Sequence, residues 1–426
     1  MQLKFGRCIC DDVQVEIAKK DFKSRGLCKL GHTHLERSVQ MPQAEAVRRD
    51  RGKEVKLSLE EALEKAATML VAAKKPLLYG WSHCTNETIR EGLSLASTLK
   101  AVFDSNASMG LGQAMSSNLH EMKLDIDLEA VQNQGEFIIY WGSNPIESSH
   151  RHASRFTVFP RGDNIPQGVE SRVIGVVDVR ETETMKMANH RVIIPIGRDT
   201  ELMRALISDL NGEPYANLSK LNLSSSALVG LTQALRKSDF TVIFYGNGIL
   251  NSGKAKENLL SLAELITTLR GLGKKTYAMP MWHEPNDMGV VKSTGESAAA
   301  ATSLDFSSRV PNSTNNPLTL QSLSKNEYDL ALVVGSDALI TLPGDAARGL
   351  AATKVIYIGP QSGLTEKRAV LSIRVVDDSV LGIGELTRSD MKDIQLKPWQ
   401  NVKKTTASAF DVVNKLHQII REKAKN

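Results

Sequence analysis

Cysteine is scarce in this chain: four residues in 426, three of them (Cys8, Cys10 and Cys28) within the first 28 and the fourth at Cys84. So few thiols over such a length exclude a disulfide framework and leave metal binding or catalysis in a reducing compartment as their use. Long apolar runs are missing too. None approaches the roughly 18 residues that cross a bilayer, and no apolar core follows basic residues at the start. The expectation is a cytoplasmic chain with no membrane partner. Charge of one sign is also lacking: 53 Lys and Arg against 48 Asp and Glu give a net charge of +5. The basic residues are scattered, apart from a lysine-rich end between Lys415 and Lys425, so no nucleic-acid partner is expected. Neither G-x-G-x-x-G nor a P-loop string occurs, which removes two common phosphate-binding fingerprints.

Length, by contrast, is ample. With 426 residues and 41% hydrophobic content, the chain can build two or three domains with real cores. Residues 57–73, "LSLEEALEKAATMLVAA", place apolar side chains three and four apart behind a serine, the pattern of an amphipathic helix. "PLLYGWS" (76–82) follows as an apolar run stopped by glycine, then a helix over about 87–99 and a second run, "AVFDSN". The β-α-β pattern recurs at "EFIIYWGSNP" (136–145), "SRVIGVVDVR" (171–180), "HRVIIPI" (190–196), "DFTVIFYGNG" (239–248), "KKTYAMPM" (274–281), "YDLALVVGSD" (328–337) and "KVIYIGP" (354–360). Such runs, separated by helices, predict an α/β fold of doubly wound parallel sheets.

Several of the predicted strands end in glycine: Gly80, Gly142, Gly246, Gly335 and Gly359. Ligands of open α/β sheets lie beyond the carboxyl ends of the strands, where glycine allows close approach to the backbone. Tight turns use glycine as well, so a nucleotide-like ligand and a plain turn remain equal readings. Loops are expected at about 217–226 and 293–316, the second long enough for an interface or binding loop.

Residues 144–162, "NPIESSHRHASRFTVFPRG", follow a strand and gather Arg151, Arg155 and Arg161 with His150 and His152 beside Phe156 and Phe159. Arginine forks bind phosphate or carboxylate, so the site is either an anion site (Arg151, His152, Arg155, Arg161) or an interface. His152 as a general base would need a carboxylate or substrate within hydrogen-bond reach.

These residues carry a family resemblance. "CDD" (10–12), "C-x-x-G-H" (28–32), "PLLYGWS", "FDSNAS", "WGSNP", "RHASRFTVFPRG", "VVDVRETET" and the "TG…DFS" region (294–307) together resemble the B subunit of formylmethanofuran dehydrogenase, of the molybdopterin oxidoreductase superfamily. The resemblance implies interleaved doubly wound α/β domains of the molybdopterin oxidoreductase type. It places a short former cluster-binding segment over 1–55, a first domain over 56–115 plus about 320–400, a second over 116–319 and a terminal helix over 401–426. In that family the two domains grip a pterin dinucleotide on Mo or W.

The departures from the family pattern carry the functional reading. Against C-x-x-C-x-x-x-C-D-D, Cys10 matches, but Gly6 and Leu3 stand at the two earlier cysteine positions. Cys28 matches the fourth ligand. A [4Fe–4S] cluster takes four thiolates, and Cys8, in C-x-C spacing with Cys10, stands at neither of the two earlier cysteine positions of the motif. After "DSNAS" the dehydrogenases resemble V-C-H-G, whose cysteine or selenocysteine ligates the metal; here Gly110 and Leu111 stand at the cysteine and histidine positions. Glycine coordinates nothing and leucine moves no proton. Met109 is adjacent, but a neutral thioether is a weak ligand beside a thiolate. The family's closing β-barrel is replaced at the end of this sequence by a helical stripe of Phe410, Val413, Leu416, Ile419 and Ile420, which could cap the domain or dock on a partner.

The resemblance is closest to the bacterial relatives of this family in the formyltransferase/hydrolase complex of methylotrophs. It implies a redox-dead structural subunit without catalytic residues, metal or cofactor, the ancestral W/Mo-pterin dinucleotide and [4Fe–4S] cluster being lost. The implied partners are the other three kinds of chain in such a complex: the zinc amidohydrolase-like A subunit, the C subunit and the formyltransferase D subunit. Together they move a formyl group from formyl-tetrahydromethanopterin to a methanofuran-type carrier and release formate. Two alternatives stay open. One is an active pterin-dependent dehydrogenase using Met109 or Cys84; the other is a stand-alone nucleotide-binding α/β protein. Zinc on Cys8, Cys10 and Cys28 with His32 or His34 is a further possibility for the N-terminal segment.

Overall fold

The structure, a computed structural model, describes residues 2–5, 10–18, 21–29, 31–33, 36, 45–50, 53–109, 126–215, 218–281, 284–297, 303–308, 312–313, 318–360, 363–375, 384–396 and 407–425. The chain forms two compact units. The first takes Met1–Gly112, Glu284–Arg388 and Asp393–Asn426; the second takes Gln113–His283 and Ser389–Lys392. The chain thus returns to the first unit at Glu284, earlier than the position near 320 read from the sequence. The stretch read as a loop from 293 begins as helix: Asp287–Ser297 is helical, with Ser293 and Thr294 buried. Small polar side chains hid this helix from a hydrophobic-period reading.

The sheet of the first unit has nine strands among the described residues. Edge to edge they are Asn312–Ser313, Leu304–Asp305, Val102–Ser105, Pro76–Gly80, Leu330–Val334, Lys354–Gly359, Leu371–Arg374, Glu45–Asp50 and Lys53–Leu57. The five from Val102–Ser105 to Leu371–Arg374 are parallel, and both flanks are antiparallel. Side chains alternate as the pleat requires. Leu78, Leu332, Val334, Ile356 and Ile358 enter one core with helices Leu59–Ala72, Asn86–Leu99 and Ala409–Lys423. Leu77, Tyr79, Val333, Val355 and Tyr357 enter the other, with Leu323, Ala346 and Leu350.

The terminal helix is therefore part of the first unit. Ser408 closes a capping box with Asp411, and Val412, Val413, Leu416 and Ile420 are buried. Its His417 sits against the helix Asn86–Leu99, Nδ1 2.5 Å from Glu91 Oε1 and Nε2 2.8 Å from Thr98 Oγ1. The stripe read from the sequence caps its own domain, while Phe410 and Ile419 lie at its margin. At the N-terminus, Gln2–Phe5, Cys10–Ala18 and Asp21–Arg25 form an antiparallel three-stranded sheet.

The second unit holds a five-stranded, wholly parallel sheet in the order His190–Ile193, Val173–Asp178, Phe137–Trp141, Phe240–Tyr245 and Lys275–Pro280. The central strand is buried throughout, which is why it reads as an unbroken apolar run. The helices Asp199–Leu210, Ser225–Lys237 and Ala255–Gly271 complete this unit's crossovers. Of the loop read over 217–226, Leu218–Leu221 is a short 3-10 helix and the next helix starts at Ser225; residue 217 lies outside the described residues. No helix among the described residues is long and apolar enough to cross a membrane.

Candidate functional site

In the second unit the strand order reverses between Phe137–Trp141 and Phe240–Tyr245, and the crevice beyond their carboxyl ends is where an open α/β sheet offers a ligand site. A cleft of about 250 Å³ opens there, lined by Gly142, Ser143, Asn144, Glu147, Gly246 and Met281 among others. The glycines do not stand back for a ligand. Gly142 (φ +57°) would place an added Cβ 2.8 Å from Gly248 Cα, and one on Gly246 would lie 2.4 Å from the Gly142 carbonyl oxygen. Each glycine is needed because the two turns press on each other. The N–H of Gly248 donates to the Gly142 carbonyl at 3.0 Å.

Both units lock the next turn with the same device. After "Gly-Ser", Asn144 Oδ1 accepts from Thr184 Oγ1 at 2.6 Å. In the first unit Gly335 (φ +67°) and Ser336 precede Asp337, whose carboxylate accepts from the Leu364 N–H at 3.0 Å, the Thr365 N–H at 2.9 Å and Thr365 Oγ1 at 2.7 Å. The strings "GSN" and "GSD" stand in the sequence, but their threonine partners lie too far along the chain for any local pattern to mark them. Gly80 (φ +117°) again faces backbone, an added Cβ lying 2.2 Å from the Val334 carbonyl oxygen, and Gly359 faces the Tyr357 hydroxyl.

Beside the turn after Pro76–Gly80 lies a group of ionisable side chains that sequence reading missed. His83 Nε2 is 2.6 Å from Glu284 Oε2, and Asp287 Oδ2 accepts from the Glu284 N–H at 3.0 Å. Burial, with the Glu284 charge beside it, pushes Asp287 up to about 7, against the pull of Ser82 and the Glu284 N–H. Burial likewise raises Asp104 to about 6 and holds the Tyr79 hydroxyl well above its ordinary value. Asn286 knits the surroundings, Nδ2 donating to the Cys84 carbonyl at 2.8 Å and Oδ1 accepting from the Thr387 N–H at 2.7 Å. Carboxyls that titrate near neutral pH can take up and give back protons.

The arginine segment divides. His152 is 1% exposed, with Nδ1 3.1 Å from the Tyr140 hydroxyl and its ring edge-on to Phe244; burial drops it to about 3. It is a neutral core residue, and the structure separates it from the arginines with which the sequence grouped it. Residues Ala153–Thr157 form a π-helical turn, a local widening often found at functional sites. Arg151 and Arg155 are half-buried and Arg161 is exposed, the Arg155 guanidinium lying 4.5 Å from the Phe156 ring centre. Arg172, not singled out from sequence, anchors this region: its guanidinium donates to the Val131, Gln132, Gly135 and Pro160 carbonyls, and burial lowers it to about 10.

Of the residues read as former metal and cluster positions or their neighbours, Gly110, Leu111, Gly6, Cys8 and His34 lie outside the described residues. Leu3 lies in the strand Gln2–Phe5, Cys10 starts the strand Cys10–Ala18, and Met109 ends the 3-10 turn Asn106–Met109. Cys28 accepts the Gly31 N–H on Sγ at 3.4 Å, and its carbonyl accepts from the His32 N–H. Cys84 is buried, its N–H donating to the Trp81 carbonyl.

Strand order, crevices and layers define a chain of the molybdopterin oxidoreductase fold type, and solved structures agree. The formyltransferase/hydrolase complex (FhcABCD) from Methylorubrum extorquens in complex with methylofuran matches with a TM-score of 0.67 at 18% identity, over 89% of this chain and 100% of that one. Acetylene hydratase from Pelobacter acetylenicus matches with a TM-score of 0.66 at 10% identity, over 96% of this chain and 67% of that one. In sequence, the chain is 27% identical over 399 residues to the B subunit of the tungsten-containing formylmethanofuran dehydrogenase 2 of Methanocaldococcus jannaschii, covering 91% of this chain and 90% of that protein. It is 26% identical over 402 residues to the protein of the same name from Methanococcus maripaludis, covering 91% of each. The resemblance carried by the motifs, to the B subunit of formylmethanofuran dehydrogenase, thus holds along nearly the whole chain. No protein-family model matches.

Proposed function

We propose that this chain is a non-redox structural subunit of a cytoplasmic assembly in methanofuran-linked formyl transfer. The assembly moves a formyl group from formyl-tetrahydromethanopterin to a methanofuran-type carrier and releases formate, in one-carbon metabolism of the methylotrophic kind. The chemistry belongs to other chains, a zinc amidohydrolase-like one and a formyltransferase, with the C subunit completing the set. The observation that carries the reading is Gly110, with Leu111 beside it, where the family's motif has a metal-ligating thiolate or selenolate and a histidine. Leu3 and Gly6 in place of two cluster cysteines support it independently.

The crevices give physical support against a pterin dinucleotide. Asp337 already takes the two backbone N–H groups of the following turn, so those donors are not open to a diphosphate. The name of the archaeal relatives, tungsten-containing, favours a second reading, an active dehydrogenase. One measurement separates the two: anaerobic purification of the chain with its co-purifying partners, with W, Mo, Fe and Zn counted per chain. The scaffold reading expects no W, Mo or Fe and a zinc-bearing hydrolase chain in attendance. Stoichiometric tungsten or molybdenum with formate-linked dye reduction would overturn it.

A further inference from the structure

We propose that the terminal helix Ala409–Lys423 is a proton-dependent clasp: His417 closes it on the helix Asn86–Leu99 as an imidazolium, and it loosens when the ring gives up its second proton. Hydrogen counting fixes the charge on the ring. His417 is 1% exposed, and both of its ring nitrogens end on a partner, Nδ1 2.5 Å from Glu91 Oε1 and Nε2 2.8 Å from Thr98 Oγ1. A carboxylate only accepts, so Nδ1 carries a hydrogen. The Thr98 hydroxyl has one hydrogen to give and directs it to the Ser94 carbonyl at 3.0 Å, one turn back in its own helix. Its oxygen is left to accept, so Nε2 carries a hydrogen as well. A ring with a hydrogen on each nitrogen is charged. Turning the hydroxyl to Nε2 instead would leave Thr98 Oγ1 and the Ser94 carbonyl oxygen 3.0 Å apart with no hydrogen between them.

The surroundings favour that charge. Thr98 stands in the last turn of Asn86–Leu99, the negative pole of the helix, and that turn has no basic residue of its own, Lys100 following as its exposed cap. Among the described residues Glu91 is the charged group in contact with the ring. The charges around it are engaged elsewhere. Arg421, one turn on from His417, is a like charge, and its exposed guanidinium reaches Ser94 Oγ at 3.3 Å. Lys423 pairs at 2.9 Å with Glu64 of the helix Leu59–Ala72, whose Glu61 takes the Ser58 N–H. On Asn86–Leu99, Glu87 takes the Glu385 N–H at 3.1 Å and Arg90 acts on Asp393. The strand Lys354–Gly359 turns Ile356 and Ile358 to this core, and neither titrates. Loss of the second proton would set a bare nitrogen against an acceptor, either the Glu91 carboxylate or Thr98 Oγ1. Val412, Val413, Leu416 and Ile420 stay buried, so the helix loosens without leaving its core.

The test uses the full chain, isotope-labelled on its nine histidine rings, with the His417 signals identified by their closeness to the Thr98 methyl group. At about pH 7, where an exposed histidine is mostly neutral, both His417 ring nitrogens are expected to bear a proton. Amide-exchange protection of Ala409–Lys423, taken relative to the intrinsic rate at each pH, is expected to fall by up to about tenfold per pH unit as the ring titrates. Protection of Ala255–Gly271 in the second unit should stay level over the same range. In Glu91→Gln the side-chain amide can donate to a bare Nδ1, so this variant is expected to keep the helix closed with no such fall. A His417 ring with one bare nitrogen at about pH 7 overturns the inference. So does terminal-helix protection that stays level in the unaltered chain, or that falls equally in Glu91→Gln. If that variant does not fold, the ring signals and the exchange of the unaltered chain decide.

Discussion

Glu366 Oε1 accepts a hydrogen bond from Arg49 Nη2 at 2.8 Å across 317 residues of sequence. The same oxygen is 3.0 Å from Arg374 Nη2, and the Glu366 side chain is 3% exposed. Arg49 also donates to the Glu366 carbonyl and to Ser372 Oγ, both at 2.8 Å. This carboxylate straps the antiparallel strand Glu45–Asp50, next to the edge of the first unit's sheet, to the parallel core.

Removing one partner of such a buried set leaves the others uncompensated, so Glu366→Ala is expected to destabilise by about 3 kcal/mol. Burial raises the Glu366 carboxyl, but the two arginines outweigh it and hold it below the ordinary glutamate value of 4.5. A depressed carboxyl contributes stability above its unfolded value and loses it as pH falls through the folded one. Urea unfolding should therefore show the variant far weaker than the parent at pH 7, with the gap closing below about pH 4.

Asp287 predicts the opposite slope. Its folded value of about 7 stands against 3.8 unfolded, so its stabilising contribution is complete below about pH 4, declines as pH rises and is gone above about 7. Asp287→Asn keeps an acceptor for the Glu284 N–H without the charge. It is expected to match the parent near pH 4 and to exceed it at pH 8, by at most about 4 kcal/mol at 1.36 per unit. Equal stability curves at both pH values would remove the buried charge from the account.

His152 is expected not to titrate near neutrality. With burial holding it at about 3, its imidazole resonances should stay fixed in NMR spectra from pH 8 down to about 5, where an exposed histidine would have shifted. The unfolded chain takes up that proton first, so this residue's part in stability is whole above about 6.5 and falls toward pH 3. A resonance midpoint near 6.5 would return His152 to the surface group of arginines.

Much of the fold is legible from local pattern. The buried strands Phe137–Trp141 and Leu330–Val334 read as apolar runs, and Ser58 with Glu61 marks the start of helix Leu59–Ala72 as clearly in sequence as in its capping box. The edge strand Lys53–Leu57 is different: four of its five residues are exposed and three are charged, so nothing apolar announces it. It exists because Glu45–Asp50 pairs with it, and that strand in turn is held through Arg374 and Glu45 at 2.7 Å.

By itself, then, the sequence determined the chemistry available: which strands are buried, where glycine ends them, and that residue 110 carries no side chain to hold a metal. Tertiary structure decided what the remaining polar groups do. It buried His152 and left Phe159 outside, filled the strand-end turns with backbone and Asp337, and brought Glu284 and Asp287 to His83 across some two hundred residues of chain. Hydrophobic periodicity records which face of an element is dry, because burial acts on each residue where it stands. Ionic and hydrogen-bonded partners are chosen by contacts distant in sequence, and no local period records them.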